Sequence, residues 1–161
     1  MRTKLTTRYL AQAAIIAAAY AALSILLLAI SFGPVQLRVA EALTVLPLFT
    51  PAAIPGLAAG CLIANVFSPA GLPDMIVGTL ATLIGAGGCY ALRKKPLAAL
   101  LPTVLANALL VGPMLYYTYG LPISFFACIA WVGLGEAIAC YLLGYPLCRL
   151  LRLHTDIFRL N

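Results

Sequence analysis

Apolar residues in this chain run in long blocks, separated by short polar or proline- and glycine-rich punctuation. They do not form the narrow stripes of helices that keep one wet face. Six blocks can be marked, at about 9–30, 35–50, 51–67, 73–92, 96–117 and 121–148. A helix crossing a bilayer needs roughly 17–25 residues. The first, fourth and fifth blocks fit that length, and the sixth is long enough to tilt or to project beyond the bilayer. Blocks two and three, joined through the stretch PVQLRVAEALTVLPLFTPAAIPG, residues 34–56, are short and could be misread as one bent helix of about 30 residues.

Charge placement argues for two separate spans. Basic residues cluster at Arg2, Lys4 and Arg8, at Arg93, Lys94 and Lys95, and at Arg149, Arg152 and Arg159. Basic residues in short loops face the cytoplasm. An even number of crossings must then separate residues 2–8 from 93–95, which four satisfy and three do not. Two more crossings return the C-terminal cluster to the same side. The pattern predicts an all-α integral membrane protein, a single six-helix domain over residues 1–161 with both termini cytoplasmic. Pro47 would then lie near the end of span two, Thr50-Pro51 in a tight cytoplasmic turn, and Pro55 one turn into span three, where it would kink the helix. Ser68-Pro69-Ala70-Gly71-Leu72-Pro73 and Gly120-Leu121-Pro122 read as outer turns.

Composition agrees, with 64% hydrophobic and 9% charged residues among 161 and a mean hydropathy of +1.07. A soluble domain would carry far more charge on its wet surface. The net charge of +6 sits at the ends of apolar spans, the placement of a membrane protein and not of a nucleic-acid-binding face. Tyr9 to Ile30 is too long for a signal-peptide core, and further spans follow it. Cys61, Cys89, Cys128, Cys140 and Cys148 lie in apolar stretches without a CxxC pair, and His154 stands alone in the basic tail. Neither arrangement suits a metal, so no metal and no cofactor are expected. Gly85-Ala86-Gly87-Gly88 lacks the Lys-Ser/Thr of a phosphate-binding loop and reads as a helix-packing site. No span copies another, as an inverted-repeat carrier would. With no ATPase motif, the chain is not expected to be an enzyme.

Four acids occur, Glu41, Asp74, Glu136 and Asp156, the last in the tail. A charge at bilayer depth costs on the order of 3 kcal/mol, so the other three need partners, cavities or protons. Arg38 and Glu41, at i and i+3, are close enough to pair. They read either as a structural ion pair at the membrane edge or as a polar lip over a pocket. Asp74 follows Pro73 at the start of span four, where an acid suits the first helical turn. Glu136 lies deep in WVGLGEAIACY, and Arg149, the nearest basic residue along that helix, is about 20 Å away. A carboxylate beside Gly133, Gly135 and Trp131 suits a planar ligand with N–H donors, although a protonated acid bonded to a neighbouring helix is the alternative. Asn107 and Asn65 add amide groups. Tyr116, Tyr117, Tyr119, Phe125 and Phe126 form either an interfacial belt or a stacking surface. In span one, Ala13, Ala17 and Ala21 run beside Ala14, Ala18 and Ala22. Both strips are smooth enough for a helix of a partner or of the same subunit.

QLRVAEALTVLPLFTPAAIPGL, then GCLIAN and DMIVGTLATLIGA, resemble the queuosine-precursor transporter family, QueT, over nearly the whole chain. The resemblance implies a substrate-binding S-component of an energy-coupling-factor transporter. Such a subunit captures a scarce nutrient at the cell membrane and docks on a coupling membrane protein driven by two cytoplasmic ATPase subunits. It also implies that the helix-one alanines, Ala14, Ala18 and Ala22 or their neighbours, form the docking face. The implied substrate is a 7-deazaguanine: the 7-aminomethyl or 7-cyano compound, or queuine. The expected pocket is Glu136, Asn107 and Trp131, then Glu41, Asp74, Asn65, Tyr116 and Arg38. The alternatives are an S-component for another vitamin, a stand-alone carrier or channel with Glu136 titrating, and a structural membrane protein.

Overall fold

The computed structural model describes residues 6–31, 37–120 and 122–153. Arg2, Lys4, residues 34–36, Leu121, His154, Asp156 and Arg159 fall outside the described residues. Among the described residues the chain is all helical. Helix α1 spans Thr7–Leu26 and is followed by a single turn at Leu28–Ser31. Helix α2, Val39–Leu48, is wound as a 3₁₀ helix, and α3 spans Ala53–Asn65. Helices α4, α5 and α6 cover Leu72–Ala91, Pro96–Tyr119 and Phe125–Leu151.

The ends are set by local chemistry. The Thr6 side chain accepts from the Tyr9 N–H at 3.3 Å, and Ser124 does the same for Ala127 at 3.2 Å, capping α1 and α6. Gly71 (φ 63°) and Gly120 (φ 55°) take the left-handed backbone that turns the chain before α4 and after α5. Pro55 falls within the first turn of α3, where its missing N–H costs little. The interior position that would kink the helix is not the one it occupies.

Helices α1, α4, α5 and α6 are long and apolar enough to cross a membrane. Helices α2 and α3 are apolar but shorter, with 10 and 13 residues. At about 2.0 Å per residue for 3₁₀ winding and 1.5 Å for α, each rises about 20 Å, against a hydrocarbon core of about 30 Å. The described basic residues other than Arg38 still gather at one end of the bundle. Tyr9 O–H donates to the Pro51 carbonyl at 3.5 Å and Thr50 to Gln12 at 3.0 Å, joining the α2–α3 turn to the start of α1. At the same end, Lys95 and Arg152 line one cleft with Tyr145. Four crossings, with α2 and α3 dipping in and out from one face, keep this charge arrangement as well as six do. Parity therefore does not by itself separate the two counts.

Small residues bring the helices together, as expected where lipid removes the hydrophobic drive between them. A Cβ on Gly56 would lie 2.7 Å from the Ala13 carbonyl oxygen, and one on Gly60 2.7 Å from that of Ala17. Helix α1 thus rests on α3 through Ala13 and Ala17, and Ala21 on the same strip is buried as Ala17 is. This strip packs within the subunit and is not a free docking face. Ala14, Ala18 and Ala22 are exposed on the other side of the same helix, flanked by exposed Ile15 and Leu26. Gly85 and Gly88 let α4 approach Thr103 and Pro102 of α5 in the same manner, fulfilling the packing role read from that glycine run.

Candidate functional site

Helix α2 carries Arg38, Glu41 and Thr44 at intervals of three, beginning at its N-cap. In a 3₁₀ helix residues three apart eclipse one another, so the three polar side chains stack along one edge, and all three are buried. Thr44 Oγ1 donates to the Glu41 carbonyl at 2.6 Å. The stripe faces α4, where Asp74, Gly78 and Thr82 recur every four residues on the buried side.

Arg38 does not make its ion pair with Glu41. Its Nη2 lies 2.7 and 2.8 Å from the two carboxylate oxygens of Asp74, with both side chains almost wholly buried. Ser68 Oγ donates to Asp74 Oδ2 at 2.6 Å, and Asn65 Nδ2 donates to the Asp74 carbonyl at 2.8 Å. A Cβ on Gly78 would come within 2.6 Å of Asn65 Nδ2 and 2.7 Å of Asp74 Oδ1, so only glycine leaves room for this network. Arg38, Asp74 and Asn65 therefore clamp α2, α3 and α4 together.

Glu41 is held differently. Tyr20 of α1 donates a short hydrogen bond to Glu41 Oε1, and Thr82 Oγ1 donates to the same oxygen at 3.3 Å. Both hydroxyls fix one oxygen, and Oε2 is buried without a hydrogen-bond partner. One helix away, Glu136 is 1% exposed and its Oε2 is also buried and unpartnered. The two acids belong to one neighbourhood. Cys140, one turn beyond Glu136, has its Sγ 3.8 Å from the Glu41 carbonyl and 3.6 Å from Thr44 Oγ1, which packs this part of α6 against α2.

Asn107 lies on α5, which packs against α6. Gly112 approaches Ile129 and Gly133 approaches Ala108, which sets an antiparallel register placing Asn107 opposite Leu134, about 3 Å along the axis from Glu136. Its Nδ2 donates to the Thr103 carbonyl at 3.1 Å, whereas Oδ1 is buried and unpartnered. Asn107 opens a stretch of π winding, Asn107–Val111, and Glu136 stands two residues before another, Ile138–Gly144. Such windings re-aim side chains and concentrate at functional positions.

Trp131 is not part of this cluster. It is 47% exposed and lines a shallow surface groove with Ala127, Ala130 and Leu134. Five residues of helix turn it about 140° from Glu136, so its ring does not stack beside the acid. Tyr116 packs edge-on against Tyr117 and Phe125, with ring centroids 5.3 and 5.6 Å away, at the α5–α6 end of the bundle. Tyr20, Thr82, Ser68 and Gly78 were missed by sequence reasoning. The four-residue spacing of Asp74, Gly78 and Thr82 would have found two of them, whereas Tyr20 carries no local signal. All five cysteines are buried free thiols, and no metal-holding cluster occurs among the described residues.

A helical bundle with four bilayer-length apolar helices around a buried polar cluster fits an integral membrane protein. The chain matches the family model described as QueT transporter over residues 10–153, and it belongs to that family of membrane transporters. No curated protein and no solved structure matches it.

Proposed function

We propose that this chain is the substrate-capturing S-component of an ATP-driven importer of the cell membrane, crossing six times with both ends cytoplasmic, and that its cargo is a 7-deazaguanine. The observation that carries the reading is that Glu41 Oε2, Glu136 Oε2 and Asn107 Oδ1 are among the buried atoms of the described residues that lack a hydrogen-bond partner. All three are acceptors. Leaving a buried polar group unpaired costs about 1–3 kcal/mol, more for a charged one, so the cluster suits a ligand that brings several N–H donors. A guanine-like edge brings N1–H and an exocyclic amine, which one carboxylate accepts together. Glu136 would take that edge and Asn107 a further ring N–H or, with its amide turned over, the ring carbonyl. Arg38, Asp74 and Asn65 would hold the surrounding helices in place.

The exposed strip Ala14, Ala18 and Ala22 would dock on a coupling membrane protein, and two cytoplasmic ATPase subunits would supply the hydrolysis for which this chain has no motif. The decisive measurement is equilibrium binding of radiolabelled 7-deazaguanines to the purified protein. Saturable binding is expected, and no binding to any of them rejects the substrate. Glu136→Gln should weaken binding by more than ~1.5 kcal/mol, the worth of a charged hydrogen bond. Unchanged affinity removes Glu136 from the site. Uptake into vesicles by the purified chain without ATP would instead favour a stand-alone carrier.

A further inference from the structure

At the basic end of the bundle a cleft of about 370 Å³ opens between the start of α5 and the end of α6. It is lined by Lys95, Pro96, Leu97, Ala98, Tyr145 and Arg152. Its two cations come from different elements, and each stands next to a bilayer-length helix. Lys95 immediately precedes Pro96–Tyr119, and Arg152 immediately follows Phe125–Leu151. Helices of 24 and 27 residues rise about 36 and 40 Å, past a hydrocarbon core of about 30 Å, so their ends reach the headgroup layer. The described acids, Glu41, Asp74 and Glu136, are all buried in the interior, and the salt bridge among the described residues is the one between Arg38 and Asp74. Arg93, two residues before Lys95, is occupied. Its guanidinium lies 4.3 Å from the Tyr90 ring centroid and donates to the Tyr90 carbonyl at 3.1 Å. Lys95 and Arg152 are exposed and have no acid to pair with among the described residues. Two like charges lining one cleft repel, and an anion between them relieves both.

Away from the cations the surface turns apolar. Tyr141 O–H donates to the Leu97 carbonyl at 3.0 Å, closing α6 onto the start of α5. Leu97, Leu101 and Leu105 stand exposed at intervals of four along α5. Residues four apart lie nearly in line, so an apolar track leads from the charged cleft into the bilayer. We infer that this cleft binds an anionic phospholipid, its phosphate between Lys95 and Arg152 and an acyl chain along the α5 leucines. Basic pockets between membrane helices take such headgroups. The Arg152 guanidinium can grip two phosphate oxygens at once, Lys95 adds a point charge, and Tyr145 brings an O–H donor to the same lining. An acidic segment of a soluble protein would match the charge and leave the leucines uncovered, whereas a phospholipid matches both in one molecule. The lipid site stands whether or not the cargo is a 7-deazaguanine.

The test is native mass spectrometry of the purified full chain in detergent at low ionic strength, titrated with phosphatidylglycerol or with phosphatidylcholine of the same acyl chains. Phosphatidylglycerol is expected to bind at least about 10-fold more tightly, as two cations at a headgroup imply. Lys95→Gln combined with Arg152→Gln should lower its affinity about 25-fold, roughly fivefold for each cation. Lys94→Gln combined with Arg149→Gln removes the same charge from outside the cleft and should leave the affinity nearly unchanged. Equal binding of the two lipids to the unmodified protein overturns the inference. So does an equal loss in both variant pairs, which would make the attraction a diffuse field of the basic end. Displacement of phosphatidylglycerol by millimolar inorganic phosphate would make the cleft a site for free anions and overturn the lipid. Full phosphatidylglycerol binding by a folded Lys95→Gln, Arg152→Gln protein, with co-purification of the energising subunits lost, would assign the cleft to a protein partner instead. Where that variant fails to fold, phosphatidylglycerol with a photoactivatable headgroup decides the matter on the unmodified protein. Crosslinks are expected within 95–98 and 145–152, and crosslinks confined to other segments overturn the site.

Discussion

Asp74 accepts from Arg38 and Ser68 at once, while its carbonyl accepts from Asn65. It is the best-satisfied acid in the interior, and Glu136 stands at the opposite pole. The contrast separates a residue that holds the bundle from the one proposed to accept a ligand. Removing Asp74 would strip the buried guanidinium of the acid it pairs with through both oxygens. Asp74→Ala should therefore lower stability by about 3–5 kcal/mol, the cost of breaking a buried pair by deleting one partner, measured by denaturant titration in detergent micelles. Glu136→Gln should have little such effect, because it removes a charge that has no salt bridge to lose. If both variants unfold alike, the division between clamp and site is wrong. The pairing of Arg38 with Asp74 was not legible in the sequence. The i, i+3 spacing favours Glu41, and only the packing of α2 on α4 brings the other acid nearer. That Glu136 lacks a basic neighbour on its own helix was legible, since the distance to Arg149 follows from helical rise alone.

At the level of elements, the two alanine strips of α1 are indistinguishable in sequence, each repeating every four residues. Their fates differ because α3 offers Gly56 and Gly60 to one side, where the backbone of α1 closes on them. A substitution series follows from this. Ala17→Leu should disrupt the α1–α3 contact and cost about 1–3 kcal/mol through overpacking. Ala18→Leu should leave the subunit's melting temperature and ligand affinity unchanged, yet weaken co-purification with the energising subunits. Loss of ligand binding in Ala18→Leu would place that strip in the subunit's own packing instead. The long helices and their ends were readable from block length, caps and glycines. The 3₁₀ winding of α2 and the π windings near Asn107 and Glu136 were not. A few residues' change of winding depends on what the helix packs against, and hydrophobicity per residue barely registers it. The result matters for the site. The 3₁₀ turn aligns Arg38, Glu41 and Thr44, and an α-helix would splay them around its axis.

For the whole molecule, the open number is how often the chain crosses the bilayer, since basic clusters at one end are compatible with four crossings or six. The discriminating position is the Thr50–Pro51 turn. Its hydrogen bonds to Tyr9 and Gln12 tie it to the end of the bundle where α1 begins, beside Arg8. If α2 and α3 are full crossings, this turn meets the same water as the Arg93–Lys95 loop. If they dip in from the opposite face, the turn is buried at bilayer depth. Two helices of about 20 Å each span the membrane only where the bilayer thins or where the connecting segments complete the path. The subunit's own packing against the longer α1 and α4 makes that accommodation local. Cysteines introduced singly at Pro51, Lys94 and Pro69 can be probed with a membrane-impermeant maleimide, and the five buried native thiols keep the background low. Six crossings predict that Pro69→Cys labels in intact cells, and that Pro51→Cys and Lys94→Cys label together once the membrane is permeabilised. A Pro51→Cys protein that stays unlabelled under permeabilisation, while Lys94→Cys labels, would reduce the crossings to four and make α2 and α3 a re-entrant pair that carries Glu41 into the bilayer from one side.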